Sequence, residues 1–234
     1  MDCMQQALSA GLRRLNITLD ETAQQRLVRF GCAVIEKNKV MNLTAITQPD
    51  QVAELHLLDS LSLLGVEPLA GRRLLDVGTG AGFPGVPLKI AEPSVELTLL
   101  DSLQKRMHWL QAEALPELGV EAAFLVGRAE DFARERREFY DVVTSRAVAR
   151  LNLLCELCLP FVMVGGCLLA MKGAMAEDEL LEADRAIRLL GGQYERTCSF
   201  PIAGAEHRVI VIRKLSPTPE KYPRLWGKIK QKPL

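Results

Sequence analysis

Asp76-Val77-Gly78-Thr79-Gly80-Ala81-Gly82-Phe83-Pro84-Gly85 decides how this chain folds. The apolar run just before it, Arg73-Leu74-Leu75-Asp76-Val77, reads as a short strand. Pro84 suits the first turn of a helix running to Ala91. Between them three alternating glycines leave the backbone bare, so a flat ligand can come close to the chain. A strand, a glycine-rich turn and a helix open a parallel α/β sheet.

The pattern continues downstream. Strands are expected at 95–100, 122–126, 140–144 and 166–170, alternating with helices at 104–115, 131–137, 151–159 and 176–190. Two more strands, 193–200 and 209–213, have no helix between them, which predicts a hairpin and one antiparallel strand. Upstream of Gly71 the reading is helical. Ala23, Leu27, Phe30 and Val34 recur near a 3.6 period within 20–39, and a second run starts at Pro49 and carries Val52, Leu55, Leu58, Leu61 and Leu64. The expected organisation is a helical extension, 1–70, packed on an α/β core, 71–234, with a basic tail, the whole being one folding unit.

Ligands of such sheets bind beyond the carboxyl ends of the strands, so the residues just after each strand carry the chemistry. Alone, the glycine turn is ambiguous. Gly80-x-Gly82-x-x-Gly85 also fits a dinucleotide fingerprint and an NAD-type oxidoreductase. Asp76 tilts the choice, because a carboxylate there repels a pyrophosphate but accepts from a cationic amino-acid group. A P-loop is excluded, since no lysine followed by Ser or Thr ends the glycine run. Asp101, at the end of the second strand, can accept from both hydroxyls of a ribose; such charge-assisted bonds contribute about 1.5–3 kcal/mol each. Ala129 and Glu130 follow the third strand, where an adenine edge would lie. Arg146 follows the fourth, with a guanidinium fork suited to a carboxylate or a phosphate, and Lys172 closes the same rim.

Composition sets the remaining bounds. The 234 residues are 48% hydrophobic and 25% charged, which is globular and not disordered. The formal net charge is zero, yet residues 213–234 hold seven basic side chains against one acid, Glu220. With Tyr222 and Trp226 interleaved, Arg224, Lys228 and Lys230 suit contact with RNA phosphates and bases, or else a solvated end. No signal peptide or membrane span is legible, so a cytoplasmic protein with reduced cysteines is expected. The spacing of Cys155 and Cys158 fits one face of a helix, and His56, His108 and His207 show no metal-ligand spacing, so no metal is expected.

The run from Asp76 to Lys89 stands with Asn42-Leu43-Thr44, His56-x-x-Asp59-Ser60-Leu61, Ser145-Arg146-Ala147 and Lys172-Gly173. Together these resemble the bacterial small-subunit rRNA methyltransferase G family, once called glucose-inhibited division protein B, over nearly the whole chain. The resemblance implies a Rossmann-like class I fold: a mostly parallel seven-stranded sheet with helices on both faces. It implies methyl transfer from S-adenosylmethionine to guanine N7 at one loop guanosine of 16S rRNA in the 30S subunit; a monomer is expected. Gly78 and Phe83 match the family's cofactor loop, Ala129 and Glu130 its adenine-side contacts, and Arg146 its rim contact. With Asp76, Gly80, Gly82 and Asp101 these form the expected cofactor set. Asn42, His56, Lys172, Arg224, Lys228 and Lys230 form the expected RNA-facing set. Asn42, His56 and Asp59 either shape the RNA side or pin the N-terminal helices to the sheet. Guanine N7 carries a free lone pair, so no general base is required.

Overall fold

The computed structural model describes residues 2–234. All seven strands are present: β1 (Arg73–Val77), β2 (Glu96–Asp101), β3 (Ala123–Val126), β4 (Tyr140–Arg146), β5 (Val162–Lys172), β6 (Gly192–Ile202) and β7 (Ala205–Lys214). They form one sheet in the order β3-β2-β1-β4-β5-β7-β6. The first five are parallel, and β7 runs antiparallel between β5 and β6. The order reverses at β1, whose Leu74 lies level with Leu97 on one side and Val142 on the other. That switch point places the glycine turn at the middle of the carboxyl edge.

Strand residues point alternately to the two faces, and each face buries its own apolar layer. Leu74, Leu99, Val142, Leu169 and Val211 share one layer with Met4, Leu8, Phe30 and Leu57 of the N-terminal helices. Leu75, Val77, Val143, Leu168 and Ile212 share the other with Leu154, Ile187, Tyr222 and Ile229.

The N-terminal helices are Asp2–Arg14, Glu21–Asn38 and a run over 49–65. Asp20 caps the second by accepting from Ala23 N–H at 2.6 Å. Pro49 occupies the first position of the third run, whose middle turn, Ala53–Leu58, is π-helical. Such widened turns concentrate at functional sites, and this one carries His56.

Three local expectations are corrected. The helix after β3 is only Ala129–Phe132, because the charged run beyond Ala133 has no apolar stripe to bury. Strand β4 continues through Ser145 and Arg146, which pair with Ala170 and Met171 instead of lying in a loop. The basic tail is not a free arm. Tyr222 and Ile229 are buried, and Lys214 is fully buried, donating to Leu159 O at 2.7 Å and Thr218 Oγ1 at 2.6 Å. No helix among the described residues is long and apolar enough to cross a membrane.

Candidate functional site

Two cavities of similar size lie at opposite edges of the sheet. One, of about 570 Å³, sits by Arg73, Glu96 and Tyr140, where strands begin. The other, of about 580 Å³, sits by Arg146, Met171 and Lys172, where strands end. The carboxyl-edge rule selects the second, here called the basin. Beside it a slot of about 170 Å³ runs under Gly78, Asp101, Ala129, Glu130, Leu157 and Trp226. Val148 lines both, so the basin and the slot share a wall.

The glycine turn is held from below. Asp76 is fully buried and its Oδ2 accepts from Thr79 Oγ1 at 2.7 Å and Gly85 N–H at 2.9 Å. Burial pushes its carboxyl up to about 6. Asp76 lines neither cavity; its Oδ2 clamps the loop, while its Oδ1 is buried without a partner, as an acceptor for a ligand group or a bridging water would be. Gly82 is also a packing residue, since a Cβ there would lie 3.0 Å from Phe30. Gly78 is different. Its φ is +73°, it lines the slot, and a Cβ would lie 2.3 Å from Val148 Cγ2.

The slot has apolar walls and acidic edges. Val77, Leu100, Leu157 and the Trp226 ring suit a flat base. Asp101 Oδ2 accepts from Gly80 N–H at 2.9 Å and Oδ1 from Leu103 N–H at 2.8 Å, so it fixes the turn while lining the slot. Glu130 Oε1 accepts from Arg128 Nε and Trp226 N–H, whereas its Oε2 is buried without a partner. A buried acceptor costs free energy until a donor reaches it. The slot therefore suits a nucleoside with an exocyclic amino group.

The basin is built around Arg146. Its Nη1 donates to Leu55 O at 2.8 Å and Asp59 Oδ2 at 3.0 Å, and its Nη2 donates to His56 Nδ1 at 3.1 Å. A guanidinium only donates, so His56 Nδ1 must accept, and Nε2–H donates to Thr44 Oγ1 at 2.8 Å. Burial, then the Arg146 charge, lower the His56 pKa to about 4, so the ring is neutral at pH 7. That ring stacks on Phe83 at 4.7 Å, and Phe83 also lies under the Arg146 guanidinium at 5.2 Å. Phe83 is thus the floor of this assembly and does not line the slot. Asp59 Oδ1 takes His207 Nδ1–H at 2.8 Å, which raises the His207 pKa. The cations lining the basin are balanced: Arg146 by Asp59, Arg150 by Glu182 at 2.6 Å, and Lys172 by Glu179 at 2.7 Å.

Of the two readings of His56 and Asp59, the geometry joins both: they line the basin and tie the N-terminal helices to β4. Asn42 lines neither cavity; its carbonyl accepts from Arg106 Nη2 at 2.6 Å. Arg224 is turned inward, onto the fully buried Glu156 at 2.6 Å and 2.8 Å, which corrects its place on the RNA-facing list. Lys228 and Lys230 are exposed. Sequence reasoning missed Val148, Glu179 and His207, and did not foresee that Trp226 lines the slot. Only His207, a polar residue opening an apolar strand, carried a signal. Cys155 and Cys158 are buried in a helix with raised pKa values, unsuited to redox chemistry. No group of three His, Cys, Asp or Glu side chains among the described residues could hold a metal.

Residues 23–210 match the family described as rRNA small subunit methyltransferase G. A protein named ribosomal RNA small subunit methyltransferase G, from Pelotomaculum thermopropionicum, is 45% identical over 240 residues, covering 100% of both chains. Its namesake from Alkaliphilus oremlandii is 44% identical over 97% of each. Among solved structures, TrmN from Thermus thermophilus superposes with a TM-score of 0.53 at 22% identity, covering 68% of this chain and 48% of that one. M. jannaschii TYW2 in complex with AdoMet gives 0.55 at 13% identity, covering 67% and 75%. These two support the fold alone.

Proposed function

This chain belongs to the rRNA small subunit methyltransferase G family, and from that premise we propose that it moves a methyl group from S-adenosylmethionine to N7 of a guanine in 16S rRNA. The observation that carries the reading is the wall at Val148: a slot fit for adenosine opens beside a basin fit for a second base.

The residues present fit the cofactor. Glu130 Oε2 is a buried acceptor awaiting a donor such as an adenine amino group, and Gly78 offers bare backbone. Asp101 and Glu130 would hold the ribose and the adenine, with Ala129 and Trp226 against the ring. Bound, the cofactor supplies an electrophilic methyl on a sulfonium. The chain's own part is alignment. Guanine N7 has its lone pair free, and orientation of this kind contributes up to roughly 7–11 kcal/mol to lowering a barrier. Arg146, locked by Leu55, His56 and Asp59, presents its remaining N–H groups to a carboxylate or phosphate at the junction of slot and basin. The neutral His56 adds no second positive charge there.

The exposure of Lys228 and Lys230, on the helix that begins at Trp226, supports their approach to RNA phosphates. The shared apolar layer supports reading 1–70 and 71–234 as one folding unit. The deciding experiment incubates the protein with radiolabelled S-adenosylmethionine and 30S subunits lacking the modification, then maps the label. Label at one guanosine N7 supports the reading. Label elsewhere on the RNA keeps the chemistry and overturns the substrate; no label with no cofactor binding overturns both.

A further inference from the structure

Guanine and adenine differ most sharply on the edge away from N7. Guanine places an acceptor, O6, next to two donors, N1–H and the 2-amino group; adenine places a donor next to an acceptor. A pocket that selects guanine therefore needs a donor and an acceptor side by side in the complementary order.

The basin contains one such pair. Lys172 and Glu179 both line it, with Nζ and Oε2 2.7 Å apart and side chains only 9% and 16% exposed. Each is fixed by the backbone of the same short segment. Lys172 Nζ donates to Ala149 O at 2.6 Å, and Glu179 Oε2 accepts from Leu151 N–H at 2.8 Å. Lys172 keeps an N–H to spare, and Glu179 Oε1 has no donor among the described residues. The other acid lining the basin, Asp59, has both oxygens engaged, by Arg146 and His207.

Resting on the reading of guanine as the acceptor base, we propose that Lys172 and Glu179 read its Watson–Crick edge: Lys172 donates to O6, and Glu179 Oε1 accepts from N1–H and the 2-amino group. The pair also has an electrostatic consequence. Methylation at N7 leaves the base cationic, and a carboxylate fixed on its far edge stabilises that charge as it develops. Selection and acceleration then come from one side chain.

The test uses 30S subunits carrying inosine in place of the target guanosine. Inosine keeps N7, O6 and N1–H and lacks the 2-amino group. For the wild type, kcat/KM falls roughly 10- to 100-fold on inosine, the worth of one hydrogen bond to a charged group. In Glu179→Gln the amide oxygen stays on Leu151 N–H and Lys172, turning its NH2 toward the donors of guanine. Activity on guanosine drops by a similar factor and inosine brings no further loss, while cofactor affinity and Tm hold. Glu179→Asp, which draws the carboxylate back, shrinks the inosine penalty and serves where the glutamine variant does not fold. Equal wild-type rates on guanosine and inosine overturn the proposal. So does an inosine penalty that persists undiminished in the variants. Wild-type enzyme that leaves guanosine N7 unlabelled marks failure of the underlying reading instead.

Discussion

The Arg146 guanidinium donates to Asp59 Oδ2 at 3.0 Å, and this contact fastens the end of β4 to the N-terminal helical layer. Arg146 is useful only where it is held. Arg146→Lys keeps the charge and loses the fork that spans Leu55, Asp59 and His56. Its expected cost is about 100-fold in kcat/KM, the scale of a small misplacement at a reacting centre. Initial rates on 30S subunits measure it, and a loss below about threefold would remove Arg146 from the positioning role.

His56 makes stability depend on pH with a definite sign. Its folded pKa, about 4, lies below the unfolded value of 6.5. The contribution is complete above pH 6.5 and is lost as pH falls toward 4, by roughly 2 kcal/mol between pH 8 and pH 5. Asp76, raised to about 6, acts in the opposite direction over the lower part of that range. The difference between wild type and His56→Gln cancels Asp76. Urea unfolding at pH 8 and pH 5 reads it, and equal slopes in the two proteins contradict the assignment.

Gly78→Asp abolishes cofactor binding while the fold survives. A side chain there meets positive φ, Val148 and the slot at once. Gly71 supplies the control, since its φ is +67° and nothing lies within 4 Å of its Cβ position. Gly71→Asp should cost stability on the order of 1 kcal/mol and leave cofactor binding alone. Calorimetry on both variants checks this; S-adenosylmethionine bound tightly by Gly78→Asp would remove the loop from the site.

Arg224 and the neighbouring lysines should separate stability from RNA affinity. Arg224→Ala strands the buried Glu156 carboxylate and costs about 3–5 kcal/mol of stability. Replacing Lys228 and Lys230 with alanine leaves stability near wild type and lowers the salt slope of RNA binding by about one to two. Truncation after Leu215 removes Tyr222 and Ile229 from the apolar layer, so it destabilises the core as well as weakening RNA binding. An unchanged salt slope in the lysine variant would make those residues a solvated face.

Periodicity located every strand and the hairpin: the central strands are buried on both faces and read as apolar runs, and the more exposed edge strands β3 and β6 followed from the alternation with helices and from the missing last helix. That Asp101 and Glu130 stand at one slot was legible from their positions after strand ends, which fix where a side chain stands. What sequence left open depends on contacts between distant segments. That one oxygen of Asp76 holds Thr79 and Gly85 is set by the turn's curl, and whether Arg224 meets RNA or Glu156 is set by where the tail docks. Val148 has no chemistry of its own and matters only because Gly78 lies beneath it.

The matching of every basin cation with a carboxylate has a consequence for RNA. Asp59, Glu182 and Glu179 act as counterions built into the protein. A phosphate arriving at Arg150 must displace an acid that is tethered and cannot diffuse away, and at Arg146 it shares the guanidinium with one, so its binding there gains little from dilution of salt. Polyanions in general meet a nearly neutral mouth. Only an RNA shaped to make several exchanges together, with a base seated in the basin, gains enough to open it.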